Sequence, residues 1–74
     1  MTSNQFLLMY TLTHLYNFKL VDNRTYSNSY YTIKLGKDDC HYLYLNGEEI
    51  KLNSVSEYKK YIRTDKLNKL INGL

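Results

Sequence analysis

Few residues in this chain have the type and spacing to do chemistry. Cys40 and His41 are its one Cys–His neighbour pair, and His14 lies far along the sequence. Neighbours on a strand point to opposite faces, so Cys40 and His41 cannot serve together as nucleophile and base. One thiol and two imidazoles fall short of a closed structural zinc site unless a carboxylate joins them. The inventory points away from an enzyme, and it suggests no metal and no cofactor. His41 reads as a residue at the edge of the core.

Three patterns remain, each with a structural and a functional reading. Asp22, Asp38, Asp39, Glu48 and Glu49 fall at or beside expected turns. In a meander, Asp22 and the Glu48–Glu49 turn are expected at one end of the sheet and Asp38–Asp39 at the other. Such residues are ordinary turn chemistry, but acidic loops can also replace phosphates against a Lys/Arg-lined surface. Lys59, Lys60, Arg63, Lys66 and Lys69 form a basic stripe with Tyr58 and Tyr61 close by. Clustered cations beside aromatics suit a nucleic-acid footprint and equally a solvated helix face. In the stretch Gln5-Phe6-Leu7-Leu8-Met9-Tyr10, the residues Gln5, Leu8 and Tyr10 match the spacing of the peptide that docks on bacterial sliding clamps. That peptide places a polar anchor beside two hydrophobic plugs in a pocket. The same residues would also serve the core of a helix.

The elements that position these groups can be read from period and punctuation. His41–Leu45, Asn46-Gly47 and Glu48–Leu52 make a β-hairpin, because a type I′ turn needs positive φ at both central residues. The register follows: Leu45 opposite Glu48, Tyr44 opposite Glu49, Leu43 opposite Ile50, Tyr42 opposite Lys51 and His41 opposite Leu52. One face is then apolar, and the other carries Tyr42, Tyr44, Glu49 and Lys51. Residues 4–16 read as a helix whose apolar stripe runs nearly all round, with N-caps available at Thr2, Ser3 and Asn4. Residues 17–21 read as a short strand, and 25–35 as a second strand with a weak start at Ser27-Asn28-Ser29. Ser54 and Glu57 form a capping box for a C-terminal helix carrying Val55, Tyr58 and Ile62 on one face. Beyond Ile62 that face meets Asp65, Lys66 and Lys69. A break is therefore expected at Arg63–Thr64, with Thr64 capping a second helix of Leu67, Leu70, Ile71 and Leu74 that Gly73 ends. The expectation is one α+β domain over residues 1–74: an N-terminal helix, an antiparallel meander of three to four strands, and one or two C-terminal helices on one face.

Composition sets the limits. A chain of 74 residues buries only about 60 % of its surface, so a partner would add to a marginal core. The single cysteine excludes an internal disulfide and fits a reducing cytoplasm. The apolar run 6–12 has no preceding Lys or Arg and no small-residue cleavage site, which argues against a signal peptide, and it is too short to span a membrane. Residues 1–50 carry four cations against five carboxylates, a net of −1; residues 51–74 carry six against two, a net of +4. Nine tyrosines are present, and Tyr30, Tyr42 and Tyr44 are expected on the outer sheet face, either as a solvated ladder or as a dimer face.

Taken whole, the chain resembles the small staphylococcal-phage polypeptides that inhibit the host DNA sliding clamp. The resemblance covers the full length. It rests on size, on the opening Met1-Thr2-Ser3-Asn4-Gln5-Phe6-Leu7-Leu8-Met9-Tyr10, and on the proline-free, Tyr/Asn/Lys-rich composition. It implies a non-enzymatic protein that works as a homodimer in the host bacterial cytoplasm. Such a protein binds the clamp ring, obstructs its DNA channel and hinders clamp loading, so that replication stops. It also implies no direct nucleic-acid contact, no membrane and no small-molecule substrate. Because a clamp channel must be basic to hold DNA, Asp22, Asp38, Asp39, Glu48 and Glu49 become the natural inserts, as in DNA mimicry. The net charge of +3 then requires the basic helices to face away from the channel or to meet an acidic outer surface. Two other functions fit the same sequence: a small basic nucleic-acid-binding protein using the Lys/Arg stripe, and an inhibitor of another host factor.

Overall fold

The computed structural model describes residues 1–72 and shows an α+β fold. In chain order the elements are α1 (Ser3–Leu15), β1 (Lys19–Asp22), β2 (Thr25–Ser27), β3 (Thr32–Leu35), β4 (His41–Leu45), β5 (Glu48–Leu52) and α2 (Val55–Asn72). Gly73, expected to end the last helix, and Leu74, expected on its apolar stripe, lie outside the described residues. The five strands form one sheet in the order β1-β2-β3-β4-β5, antiparallel throughout.

Local chemistry explains most boundaries. Thr2 caps α1, its hydroxyl accepting from the Gln5 N–H at 3.3 Å. Asn17 ends the helix in the left-handed region (φ 59°), letting the Phe18 N–H return to the Leu12 carbonyl. Asn46 and Gly47 both have positive φ, 52° and 81°, and the β4–β5 register is the one expected from the Asn-Gly turn. Ser54 caps α2: its hydroxyl accepts from the Glu57 N–H, while the Glu57 carboxylate accepts from the Asn53 N–H.

Two expectations are corrected. Residues 25–35 are not one strand but the hairpin β2–β3, which raises the strand count to five. Asn28 makes the turn, its side-chain oxygen accepting from the N–H groups of Tyr30 and Tyr31, both at 2.8 Å. α2 does not break at Arg63–Thr64. Asp65 takes the next inward position after Tyr58 and Ile62 and is satisfied there. Its carboxylate accepts from the Tyr31 hydroxyl and pairs with Lys69, each at 3.0 Å. A buried carboxylate with two donors can stay ionised, and the Lys69 contact holds its pKa below the ordinary value.

Both helices pack on one face of the sheet. Leu8, Leu12, Phe18, Tyr31, Ile33, Leu43, Leu52, Tyr58 and Ile62 form the core, and each fully buried aliphatic side chain contributes about 1.5–3 kcal/mol. The apolar content of both helices exceeds what the core uses. On α1, Phe6, Leu7 and Tyr10 are exposed. From Lys66 to Asn72 every residue of α2 is exposed, and Leu67, Leu70 and Ile71 lie on the side opposite Tyr58, Ile62 and Asp65. The helix is thus amphipathic twice, with its apolar side reversed in its last two turns.

Candidate functional site

The face of the sheet away from the helices carries Thr32, Lys34, Tyr42, Tyr44, Glu49 and Lys51, as the paired registers require. Two tyrosines fix two carboxylates there. The Tyr42 hydroxyl donates to Asp38 Oδ2 at 2.6 Å, and the Tyr44 hydroxyl donates to Glu49 Oε2 at 3.1 Å. Asp38 also accepts the Cys40 N–H at 3.1 Å and sits 3.6 Å from Lys51 Nζ. The Tyr42 bond and then the Cys40 N–H hold the Asp38 carboxyl below its usual pKa, while the Asp38 anion pushes the Tyr42 phenol up to about 12. Lys34 lies over the Tyr44 ring, 5.4 Å from its centroid. The face therefore presents two anions, Asp38 held by a short tyrosine bond and Glu49 by a longer one, with a cation beside each tyrosine.

Gly36 makes room for this arrangement. A Cβ at position 36 would come within 2.6 Å of the Tyr42 ring and 2.7 Å of Asp38 Oδ1. Asp39 completes the same turn in the left-handed region at φ 61°, which an aspartate tolerates.

The structure redistributes the other expected residues. Asp22 does not share an end with Glu48–Glu49. The additional strand reverses the direction of everything before it and puts Asp22 at the Asp38–Asp39 end, where Arg24 donates to the Gly36 carbonyl at 2.9 Å. The Arg24 backbone N–H lowers the Asp22 pKa. Glu48 and Glu49 stand at the opposite end, beside the Asn46-Gly47 turn. Tyr30 leaves the tyrosine face altogether: it sits in the β2–β3 turn and is 79 % exposed. The basic stripe divides as well. Lys59, Arg63 and Lys66 share one side of α2, Lys60 lies round the helix from them, and Lys69, itself exposed, pairs with Asp65.

Gln5, Leu8 and Tyr10 do not form one contact surface. Tyr10 is exposed and stacks on His14, with ring centroids 4.1 Å apart. Leu8 is in the core and Gln5 is 3 % exposed. The Gln5 amide donates to the Leu52 carbonyl at 2.7 Å. Its oxygen accepts from the His41 N–H at 3.0 Å and lies 2.7 Å from His41 Nδ1. An amide oxygen can only accept, which assigns the proton to Nδ1 and leaves Nε2 as a buried atom with no partner. Gln5 is thus the polar tie between α1 and the β4–β5 hairpin.

Burial lowers the proton affinity of His41. The unfolded chain takes up a proton near pH 6.5 and the folded chain does not. Stability should therefore fall as pH drops below 6.5, by up to about 1.4 kcal/mol per pH unit, until the buried ring itself titrates. The lowered carboxylates Asp22, Asp38 and Asp65 add a separate loss only below their ordinary value of 3.8. Urea midpoints at about pH 7.5 and about pH 5.5 test the first loss, and His41→Leu should remove it.

The Tyr42–Asp38 bond had no sequence signature, since it depends on a turn that brings back a residue four places away. The inward role of Asp65 had none either, because its partner Tyr31 is 34 residues distant. Among the described residues no group of three or more His, Cys, Asp or Glu is placed to hold a metal ion. No described helix is long and apolar enough to cross a membrane. Comparison of the chain with protein-family models, with curated proteins and with solved structures finds no match.

Proposed function

We propose that the chain is a phage-encoded binding protein that occupies the DNA sliding clamp of a host bacterium, blocking its channel and its loading. The reading rests on the full-length resemblance. The observation that carries it further is the pair of carboxylates, Asp38 and Glu49, held by tyrosine hydroxyls on the uncovered face of the sheet. A surface that replaces phosphates must present anions already in place, because anions that first have to be ordered lose affinity to side-chain entropy. Asp22 and Asp39 extend this acidic group at one end of the sheet, and Glu48 extends it at the other. The proposal includes action in the host cytoplasm as a homodimer. The exposed apolar stripe Leu67, Leu70 and Ile71 supports self-association more than the tyrosines do, since two of those hydroxyls are engaged by carboxylates.

Size-exclusion chromatography with light scattering tests partner and mass together, using the protein alone, with a bacterial sliding clamp, and with duplex DNA. The expected result is co-elution with the clamp, none with the duplex, and a dimeric mass for the free protein. Charge reversal at Glu48 and Glu49, or at Asp38, should weaken clamp binding about tenfold or more, because it sets cations against a basic channel. If both reversals leave the affinity unchanged, the acidic-insert mechanism fails even where the clamp is bound.

A further inference from the structure

Two hollows run together between the end of α1, the β2–β3 turn and α2. One, of about 220 Å³, is lined in part by Tyr16, Ser29, Tyr30, Tyr58 and Lys66. The other, of about 310 Å³, is lined by Tyr16, Tyr58, Lys59, Ile62, Arg63 and Lys66. Tyr16, Tyr58, Ile62 and Lys66 belong to both, so they form one groove. No carboxylate lines either part.

Among the described residues the cations of this groove have no counter-ion. The ion pairs among the described residues are Lys51–Asp38 and Lys69–Asp65, and neither involves Lys59, Arg63 or Lys66. These three follow one another at i, i+4 and i+7, with no acidic residue one turn away on either side. Like charges at that spacing cost the helix a few tenths of a kcal/mol per pair, and a bound anion would remove the cost. They span about 10 Å of helix axis at 1.5 Å per residue, enough for two or three phosphates of an extended strand. Tyr30, 79 % exposed, lines the part of the groove that holds Lys66, its ring beside that of Tyr31 at 6.4 Å between centroids and its outer face open to solvent. Tyr58, at 2 % exposed, forms part of the floor, and its hydroxyl makes no hydrogen bond with a described residue.

We propose that this groove binds a short segment of single-stranded nucleic acid, with phosphates on Lys59, Arg63 and Lys66 and a base stacked on Tyr30. A cationic wall facing aromatic rings is the arrangement by which single strands are held without sequence readout. The proposal goes beyond clamp occupation and departs from the resemblance, which implies no direct nucleic-acid contact. It uses a different surface from Asp38 and Glu49, so the two readings stand or fall separately. An acidic peptide would satisfy the cations but would leave Tyr30 and the aromatic floor without a partner.

Fluorescence anisotropy with a labelled thymidine hexanucleotide tests it on the full chain, with unlabelled thymidine monophosphate, a matched duplex and a hexaglutamate peptide as competitors. The expected result is saturable binding whose logarithm falls with log salt at a slope near −2, from about three phosphate contacts at −0.7 each. The unlabelled hexanucleotide should compete far better than the monophosphate, the duplex or the peptide. Arg63→Glu with Lys66→Glu should reduce affinity at least tenfold, and Tyr30→Ala should reduce it several-fold. All three side chains are exposed, so the variants should keep the helix content of the parent, which circular dichroism checks. Absence of saturable binding overturns the proposal, as does equal competition by hexaglutamate or by duplex, or an unchanged affinity in either variant. Equal competition by the monophosphate would reduce the site to one for a free nucleotide and overturn the strand.

Discussion

Replacing Gln5 by alanine should cost the fold about 3 to 5 kcal/mol, and replacing it by leucine should cost nearly as much. The side chain makes three buried hydrogen bonds, to the Leu52 carbonyl, the His41 N–H and His41 Nδ1. Removing it strands two donors and one acceptor in the interior, each at about 1–3 kcal/mol. A domain of this length has about 4 to 11 kcal/mol to lose, so either variant brings it close to unfolding at room temperature. Leucine restores the apolar volume but none of the bonds. Urea unfolding of the two variants therefore separates packing from hydrogen bonding. A leucine variant as stable as the parent would mean that the ties contribute nothing net.

Tyr58→Ala should have an effect of the same size, about 3–5 kcal/mol, because it empties the largest buried site of the core. The Tyr58 ring packs on Tyr16 at 4.9 Å between centroids and meets Phe18 edge-on at 6.0 Å. It joins α2 to the end of α1 and to the segment that enters β1. The buried residues of α2 are Tyr58, Ile62 and Asp65, with Val55 and Tyr61 partly buried beside them, and Tyr58 is the largest fully buried of these anchors. An 18-residue helix without tertiary contacts is marginal in water, and the variant should lose helical circular dichroism ahead of its sheet signal. Tyr58→Phe should stay within about 1 kcal/mol of the parent, since the hydroxyl bonds to no described residue. A large loss in the phenylalanine variant would contradict that account.

What could be read in the sequence was what is settled locally. Asn46 and Gly47 set the hairpin register, and that register alone places Tyr42, Tyr44 and Glu49 on one face. Ser54 announced the start of α2, and the run Thr2, Ser3 and Asn4 announced that of α1, where Thr2 is the cap. The β2–β3 turn was missed because it contains no glycine or proline. The strand-forming residues Tyr30 and Tyr31 lie within it, and the turn is made by one asparagine side chain. That omission also moved Asp22 to the wrong end, since each added strand reverses direction. The expected helix break failed for a non-local reason: a carboxylate on an apolar stripe looks like a stop signal until Tyr31 arrives from the β2–β3 connection to bond it. The groove was invisible for the same reason. Its cations were evident as a run, but its aromatic side comes from α1 and a turn that only the tertiary fold brings near.

The strand order has a consequence for how the chain assembles. In the sheet, each strand pairs with its neighbours in sequence, so the meander needs only short loop closures and should form quickly. α1 is the exception. Its polar tie reaches Leu52, 47 residues away, so α1, which precedes the sheet in the chain, can make that tie only after β5 has been made. During synthesis a helix carrying Phe6, Leu7, Leu8, Met9, Tyr10, Leu12 and Leu15 must wait in the open until residue 52 has emerged. The interval between those events is the period of greatest exposure to aggregation and to chaperones.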